Sequence, residues 1–147
     1  MGLKLHLRAQ EKFVVNGAVI TVLKPTTVVI NNMVSMLLEK QIMHPSKAVT
    51  PARRIYFAVQ CVYMAEEEER QQFLDNFEVV VGEYESITVL EPVRVILKLI
   101  REQLAGNLYY DALKSCNALI EHEDWLLSKS LPIPAEQNSN PETASPE

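Results

Sequence analysis

The dipeptide Asn16-Gly17 stands between two runs rich in β-branched residues, "KFVV" and "AVITVL". An Asn-Gly pair accepts the positive φ of a type I′ turn, the two-residue connection whose twist matches that of antiparallel strands. Residues 12–15 and 18–23 are therefore predicted to form a hairpin, which commits the start of the chain to antiparallel β-structure. The flanking segments agree. In "LKLHLR", Leu3, Leu5 and Leu7 alternate with Lys4, His6 and Arg8, the period of two of a half-buried strand. Lys24-Pro25 interrupts pairing, because proline has no N–H to donate. "TTVVINN" resumes as a strand closed by Asn31-Asn32. A short strand is expected near 35–38, with a single helical turn as the alternative. The strands carry few polar residues after Lys12. Both faces then need cover from a curled sheet, from helices or from a second copy of the chain.

From Thr50 the period changes to that of a helix. Thr50 suits an N-cap, and Pro51 suits the first helical position, where its missing N–H costs nothing. Ile55, Tyr56, Val59, Val62 and Tyr63 fall on one face, and Phe57, Cys61 and Met64 form a second stripe beside it. Arg53, Gln60 and Glu67 mark the narrow polar strip that remains. A helix apolar on so many sides belongs at the centre. A second helix is predicted over roughly 66–83, carrying Phe73, Phe77 and Val80 inward, either continuous with the first or kinked near Glu66. Gly82 and "EYESITVLEP" mark a break. Pro92 opens a third helix, with Val93, Ile96, Leu97 and Ile100 on one side and Arg94, Lys98 and Arg101 on another. Gly106-Asn107 is a stop and restart, and "LYYDALKSCNALIEHEDWLL" is the last helix, with Leu108, Leu119, Ile120 and Leu126 apolar. The fold class is α+β: a small N-terminal antiparallel β-unit of four to five strands, then a bundle of about four helices. One domain is expected over 1–131, β-rich to 48 and helical from 49. "PIPAEQNSNPETASPE", residues 132–147, has four prolines and no aromatic. With so little to bury it is expected to be disordered.

Charge divides along the same line. Through Ala65 eight basic residues face two acidic ones, a balance of +6; from Glu66 onward six face seventeen, a balance of −11. Either the halves complement each other within the fold, or a basic face meets an anion such as RNA. "MGLKLHLRAQ" has charges where a secretory signal needs an apolar run. No stretch approaches the roughly 20 apolar residues of a membrane helix. Cys61 and Cys116 are far apart among apolar neighbours, the pattern of buried reduced thiols. A cytoplasmic protein that does not engage a membrane is expected.

Catalytic constellations are not evident. Successive glutamates at 66–69 diverge around a helix and suit a solvated helix start. His122 in "EHED" has no ligand at i+4. Cys61 lies on an apolar stripe without an activating base. The four glycines, at 2, 17, 82 and 106, build no phosphate loop. A non-enzyme without metal or cofactor is expected.

Two binding surfaces suggest themselves. Lys4, His6 and Arg8 share one strand face and Lys12 opens the next strand, so a basic β-surface could follow a phosphate backbone. Phe13 is the only aromatic before Tyr56, which favours electrostatic contact over stacked bases. Arg53 and Arg54 fall in the first turn of a helix, where the dipole disfavours cations. They either pair with acids of the second half, Glu66–Glu69 or the "EHED" cluster, or face a ligand. Lys4, Arg8, Lys12, Arg53 and Arg54 are the candidate RNA-binding residues. Tyr109, Tyr110 and Trp125, on the acidic last helix, are the candidate partner-binding residues.

Three ordered blocks carry a family resemblance: "EKFVVNGAVI" at 11–20, "TPARRIYFAVQCVYM" at 50–64 and "YYDALKSCNALIEHED" at 109–124. Together they resemble the FlbT family of flagellum biosynthesis repressors of alphaproteobacteria, over nearly the whole chain to about Leu131. The resemblance implies a post-transcriptional regulator that associates with the 5′ untranslated region of flagellin mRNA and promotes its decay. It also implies a connection to flagellin and to a FlaF-like protein. It supplies neither catalytic residues nor a residue-level RNA site, and the oligomeric state stays open.

Overall fold

The structure is a computed structural model that describes residues 2–88 and 90–130. Five strands come first: β1 Leu3–Leu7, β2 Lys12–Val15, β3 Ala18–Thr21, β4 Thr26–Ile30 and β5 Met36–Leu38. Four helices follow: α1 Pro51–Met64, α2 Arg70–Glu85, α3 Glu91–Ala105 and α4 Tyr109–Ser130. The α+β architecture is the one expected. Residues 132–147 of the expected disordered tail lie outside the described residues.

The hairpin turns at Asn16 (φ 50°) and Gly17 (φ 84°), both in the left-handed region. Glycine is doubly required at 17, because a Cβ there would sit 3.0 Å from the Met64 carbonyl oxygen. β1 pairs antiparallel with β4 in one two-stranded sheet, and β3, β2 and β5 form a second sheet in that order. Alternation along β2 then sets the layering. Phe13 points into a small core with Leu5 and Leu7, against Val28, Ile30 and Met36. Val14 and, on β5, Leu37 point the other way and join the main core with Ile55, Val59 and Val62 of α1. The β3-β2-β5 sheet is thus a middle layer between the β1-β4 sheet and the helices. This explains the scarcity of polar residues on β2 and β5.

α1 is central, as its composition predicts. Thr50 Oγ1 accepts from the Arg53 backbone N–H at 3.3 Å, with Pro51 just inside the helix. Gln60 departs from the expectation of a polar strip. It is buried, and its amide oxygen accepts from Met43 N at 2.7 Å while its amide nitrogen donates to Met43 O at 3.0 Å. One side chain thereby completes the hydrogen bonding of an adjacent loop residue, which makes its burial affordable.

Residues 66–69 do not begin the second helix. Glu66 is extended (φ −74°, ψ 158°), and Glu67–Glu69 form one 3₁₀ turn before α2. Arg70 explains the break: its guanidinium donates to Val62 O at 3.2 Å and Ala65 O at 2.8 Å, capping the end of α1. β3 is also shorter than predicted, ending at Thr21, although Val22 still donates to Glu11 O at 2.9 Å. α3 buries Val93, Leu97, Ile100 and Leu104, and α4 buries Ala112, Leu113, Cys116 and Leu119. Leu108, expected in the last helix, lies just before it and is exposed.

Candidate nucleic-acid interface and helix-docking site

On the outer face of the β1-β4 sheet, Lys4 lies opposite Val29 and His6 opposite Thr27. His6 Nδ1 and Thr27 Oγ1 are 3.1 Å apart. Arg8 continues the same alternation, with its side chain 88% exposed and Glu11 3.8 Å away. These three basic side chains stand on one face because the inward set, Leu5 and Leu7, is held in the small core. Lys12 is exposed elsewhere. It shares the helix-facing side of the middle sheet, donates from Nζ to Thr21 Oγ1 at 3.3 Å, and has its backbone N–H on Glu39 Oε1 at 2.6 Å. There it borders an apolar groove of about 400 Å³, whose walls include Ile42, Met43, Phe57 and Met64. Among the described residues Lys4 and Lys12 form no salt bridge.

Arg53 and Arg54 have a different setting. The carboxylate of Glu123, buried on α4, closes over the first turn of α1. Its Oε1 accepts from Thr50 Oγ1 and from Arg53 Nη1 at 3.2 Å, and its Oε2 accepts from the Ala52 N–H at 3.0 Å. Asp124 holds the same guanidinium in a fork, at 3.0 and 3.1 Å. That Asp124 hydrogen bond, opposed in part by burial, raises the Arg53 pKa above its ordinary value. A buried anion over free helix N–H groups offsets the unfavourable cations in that turn. Arg54 pairs with Glu83 of α2 at 2.8 Å. The docking alternative therefore describes both arginines, and the acidic partners are the "EHED" cluster and Glu83 rather than Glu66–Glu69.

A third anchor escaped the sequence reading. Arg101 of α3 bridges Glu78 at 2.9 Å and Glu85 at 2.8 Å. The hydrogen bonds it donates to Glu85 and Glu78 raise its pKa. The seven-residue spacing of the two glutamates, which puts both on one face of a helix, was the available signal.

The three candidate partner-binding aromatics are not one patch. Tyr109 lies under the Arg70 guanidinium, 4.6 Å from ring centroid to carbon, and donates to Asn107 Oδ1 at 2.9 Å. Tyr110 Oη accepts from Gln41 Nε2 at 2.9 Å, and its ring is 5.6 Å from that of Tyr63. Trp125 is 55% exposed, beside Lys129. It stands about 22 Å along the helix from Tyr110 at 1.5 Å per residue.

Among the described residues no three His, Cys, Asp or Glu side chains gather closely enough to hold a metal ion. Burial pushes the thiols of Cys61 and Cys116 up, away from the thiolate that nucleophilic chemistry needs. No described helix is long and apolar enough to cross a membrane.

The family described as "Flagellar protein FlbT" matches residues 3–127. The flagellum biosynthesis repressor protein FlbT of Caulobacter vibrioides (strain ATCC 19089) is 37% identical over 125 residues, covering 84% of this chain and 88% of its own length. A probable flagellum biosynthesis repressor of Bradyrhizobium diazoefficiens is 34% identical over 129 residues, covering 86% of this chain and 92% of its own length. A third, from Mesorhizobium japonicum, is 28% identical over 135 residues, covering 90% of this chain and 89% of its own length. No solved structure matches the chain.

Proposed function

Because the chain belongs to the FlbT family, we propose that it represses flagellum biogenesis in the cytoplasm by associating with the 5′ untranslated region of flagellin mRNA and promoting its degradation. The chain acts as a binding protein, and a separate nuclease cuts the message. One observation carries the RNA assignment: Lys4, His6 and Arg8 stand exposed on a single strand face, with Glu11 beside Arg8. Such a face suits a flexible phosphate backbone without stacking. Lys12, exposed on the helix-facing side of the middle sheet, adds a further cation beyond this face. Arg53 and Arg54 hold helices together, so their part in RNA contact is indirect. The test is affinity for a labelled flagellin leader RNA. The triple variant Lys4→Ala/Arg8→Ala/Lys12→Ala should keep its fold and bind more weakly, its salt slope smaller by about 2, at roughly 0.7 per lost phosphate contact. Unchanged affinity would remove these residues from the function.

A second reading rests on Trp125, a large exposed aromatic on the acidic α4. The helical half would bind flagellin or a FlaF-like protein and reach RNA only through that complex. Binding of either protein should then be lost in Trp125→Ser. Binding that survives this change, beside direct RNA binding, would leave only the first reading.

A further inference from the structure

β3 is an edge strand of an unusual kind. All four of its residues, Ala18, Val19, Ile20 and Thr21, are exposed, and Leu23 just beyond is 76% exposed. Edge strands of soluble proteins are normally blunted by a charge, a proline or a bulge. This strand has none of these. Its hydrogen-bonding parity is fixed by Val22, which donates to Glu11 O. Counting back along the register Phe13↔Ile20 and Val15↔Ala18, Ile20 and Ala18 bond to β2. Val19 and Thr21 therefore turn their N–H and C=O groups outward.

The charges at the two ends of this edge are opposite. At the Thr21 end stand Lys12, whose Nζ reaches Thr21 Oγ1, and the exposed Lys24; of the two acids there, Glu11 pairs with Arg8 and Glu39 accepts from the Lys12 backbone N–H. At the Gly17 end the turn lies close enough to the Met64 carbonyl that an added Cβ would stand 3.0 Å from it, two residues before the exposed run Glu66–Glu69. Glu67 pairs with Arg70. Glu66, Glu68, Glu69 and Lys24 form no salt bridge among the described residues.

We propose that β3 is a self-association edge, where two copies of this chain pair antiparallel about a two-fold axis beside Ile20. In that register Val19 of one copy exchanges backbone hydrogen bonds with Thr21 of the other, and the two Ile20 residues face each other. Lys24 of one copy lies opposite Asn16 of the second, so each basic end meets the other copy's Gly17 end and its glutamates. A parallel arrangement would set lysine against lysine. The charge pattern thus selects a second copy, antiparallel, over an unrelated strand. The edge spans only about 13 Å, which buries less than the roughly 800 Å² per partner of a tight dimer. The dimer is accordingly concentration-dependent. The pairing shares Lys12 with the RNA assignment and otherwise uses β3, a neutral strand; Val19→Lys and Thr21→Pro leave Lys4, Arg8 and Lys12 in place, so the two readings fail separately.

The experiment is the mass of the full chain by light scattering and sedimentation, from low micromolar to several hundred micromolar, at low and high salt. The expected mass rises toward twice the 16.7 kDa of one chain and falls back at high salt. Val19→Lys should shift the dimer dissociation constant at least tenfold. Thr21→Pro should do the same, since it removes an outward N–H and leaves the β2 ladder intact. Both should keep the wild-type circular dichroism. If one variant misfolds, the other decides. Glu68→Lys/Glu69→Lys should weaken the dimer, and adding Lys24→Glu should restore it. A monomer at every concentration would overturn the pairing and leave the edge to another protein. A dimer untouched by both edge variants would overturn it equally, by placing the interface elsewhere.

Discussion

Replacing Glu123 should unlock α1 from α4. Its buried carboxylate accepts from the Thr50 hydroxyl, the Ala52 backbone N–H and the Arg53 guanidinium. A hydrogen bond to a charged group contributes about 1.5–3 kcal/mol, and an anion at a partly buried helix N-terminus up to about 2 kcal/mol. These overlap, because the same carboxylate makes both, so they do not simply sum. Arg53 also keeps its fork to Asp124, which spares it from being left an uncompensated charge. The expected cost of Glu123→Ala is therefore about 3 kcal/mol rather than the sum of every contact. Glu123→Gln should cost about 2 kcal/mol, since the amide keeps one acceptor but aims donors at groups that are themselves donors. Urea unfolding followed by circular dichroism reads both values, provided the slope is unchanged. Asp124→Asn is the internal control. Its carboxylate is half-exposed, and the loss should stay within about 1 kcal/mol. A Glu123→Ala cost below about 0.5 kcal/mol, no greater than an ordinary surface change, would refute the idea that this carboxylate docks the two helices.

Two further outcomes follow from the geometry. Gly17→Ala should destabilise the fold by about 1–2 kcal/mol for the left-handed backbone alone, and by more because the new Cβ meets the Met64 carbonyl; wild-type stability in the same urea assay would contradict the turn. Tyr56 is buried, its hydroxyl donating to Gln41 O, and burial pushes its pKa up to about 12. The unfolded chain ionises it near its ordinary value of about 10. Its contribution is thus fully present below pH 10 and lost as the pH rises toward 12, a decline on the order of 3 kcal/mol. Stability measured across that window should fall less in Tyr56→Phe than in the parent chain, and an equal fall would remove Tyr56 from the effect.

What could be read from the sequence was what short-range chemistry decides. The Asn16-Gly17 turn, the Thr50 cap and the inward Leu5 and Leu7 each depend on a few adjacent residues and are found where expected, while Leu3, read as the first of the same inward set, is exposed at the strand's start. The fate of Arg53 was legible only as a choice between partners. Which carboxylate reaches the start of α1 depends on how α4 crosses it, and Glu123 lies 70 residues away along the chain. Gln60, being polar, reads from the sequence as part of the solvent-facing strip. Its partner, the backbone of Met43, has no side-chain signature that a sequence displays. Arg70 was likewise invisible as a cap, because its role requires the chain to break at Ala65 and turn back on Val62. The two binding surfaces differ in the same way. Lys4, His6 and Arg8 follow from the period of one strand, whereas the exposed Tyr110 is tied to Gln41 from the other half of the chain.

The central claim is direct contact between RNA and the β-unit's cations Lys4, Arg8 and Lys12. The measurement is a titration of purified, nuclease-treated protein against labelled flagellin leader RNA at several salt concentrations, in the absence of any other protein. The account predicts saturable binding whose log K falls linearly with log salt, by roughly 2 for three phosphate contacts on a single strand. Absence of binding at low salt, with binding restored only when flagellin or a FlaF-like protein is added, would contradict it.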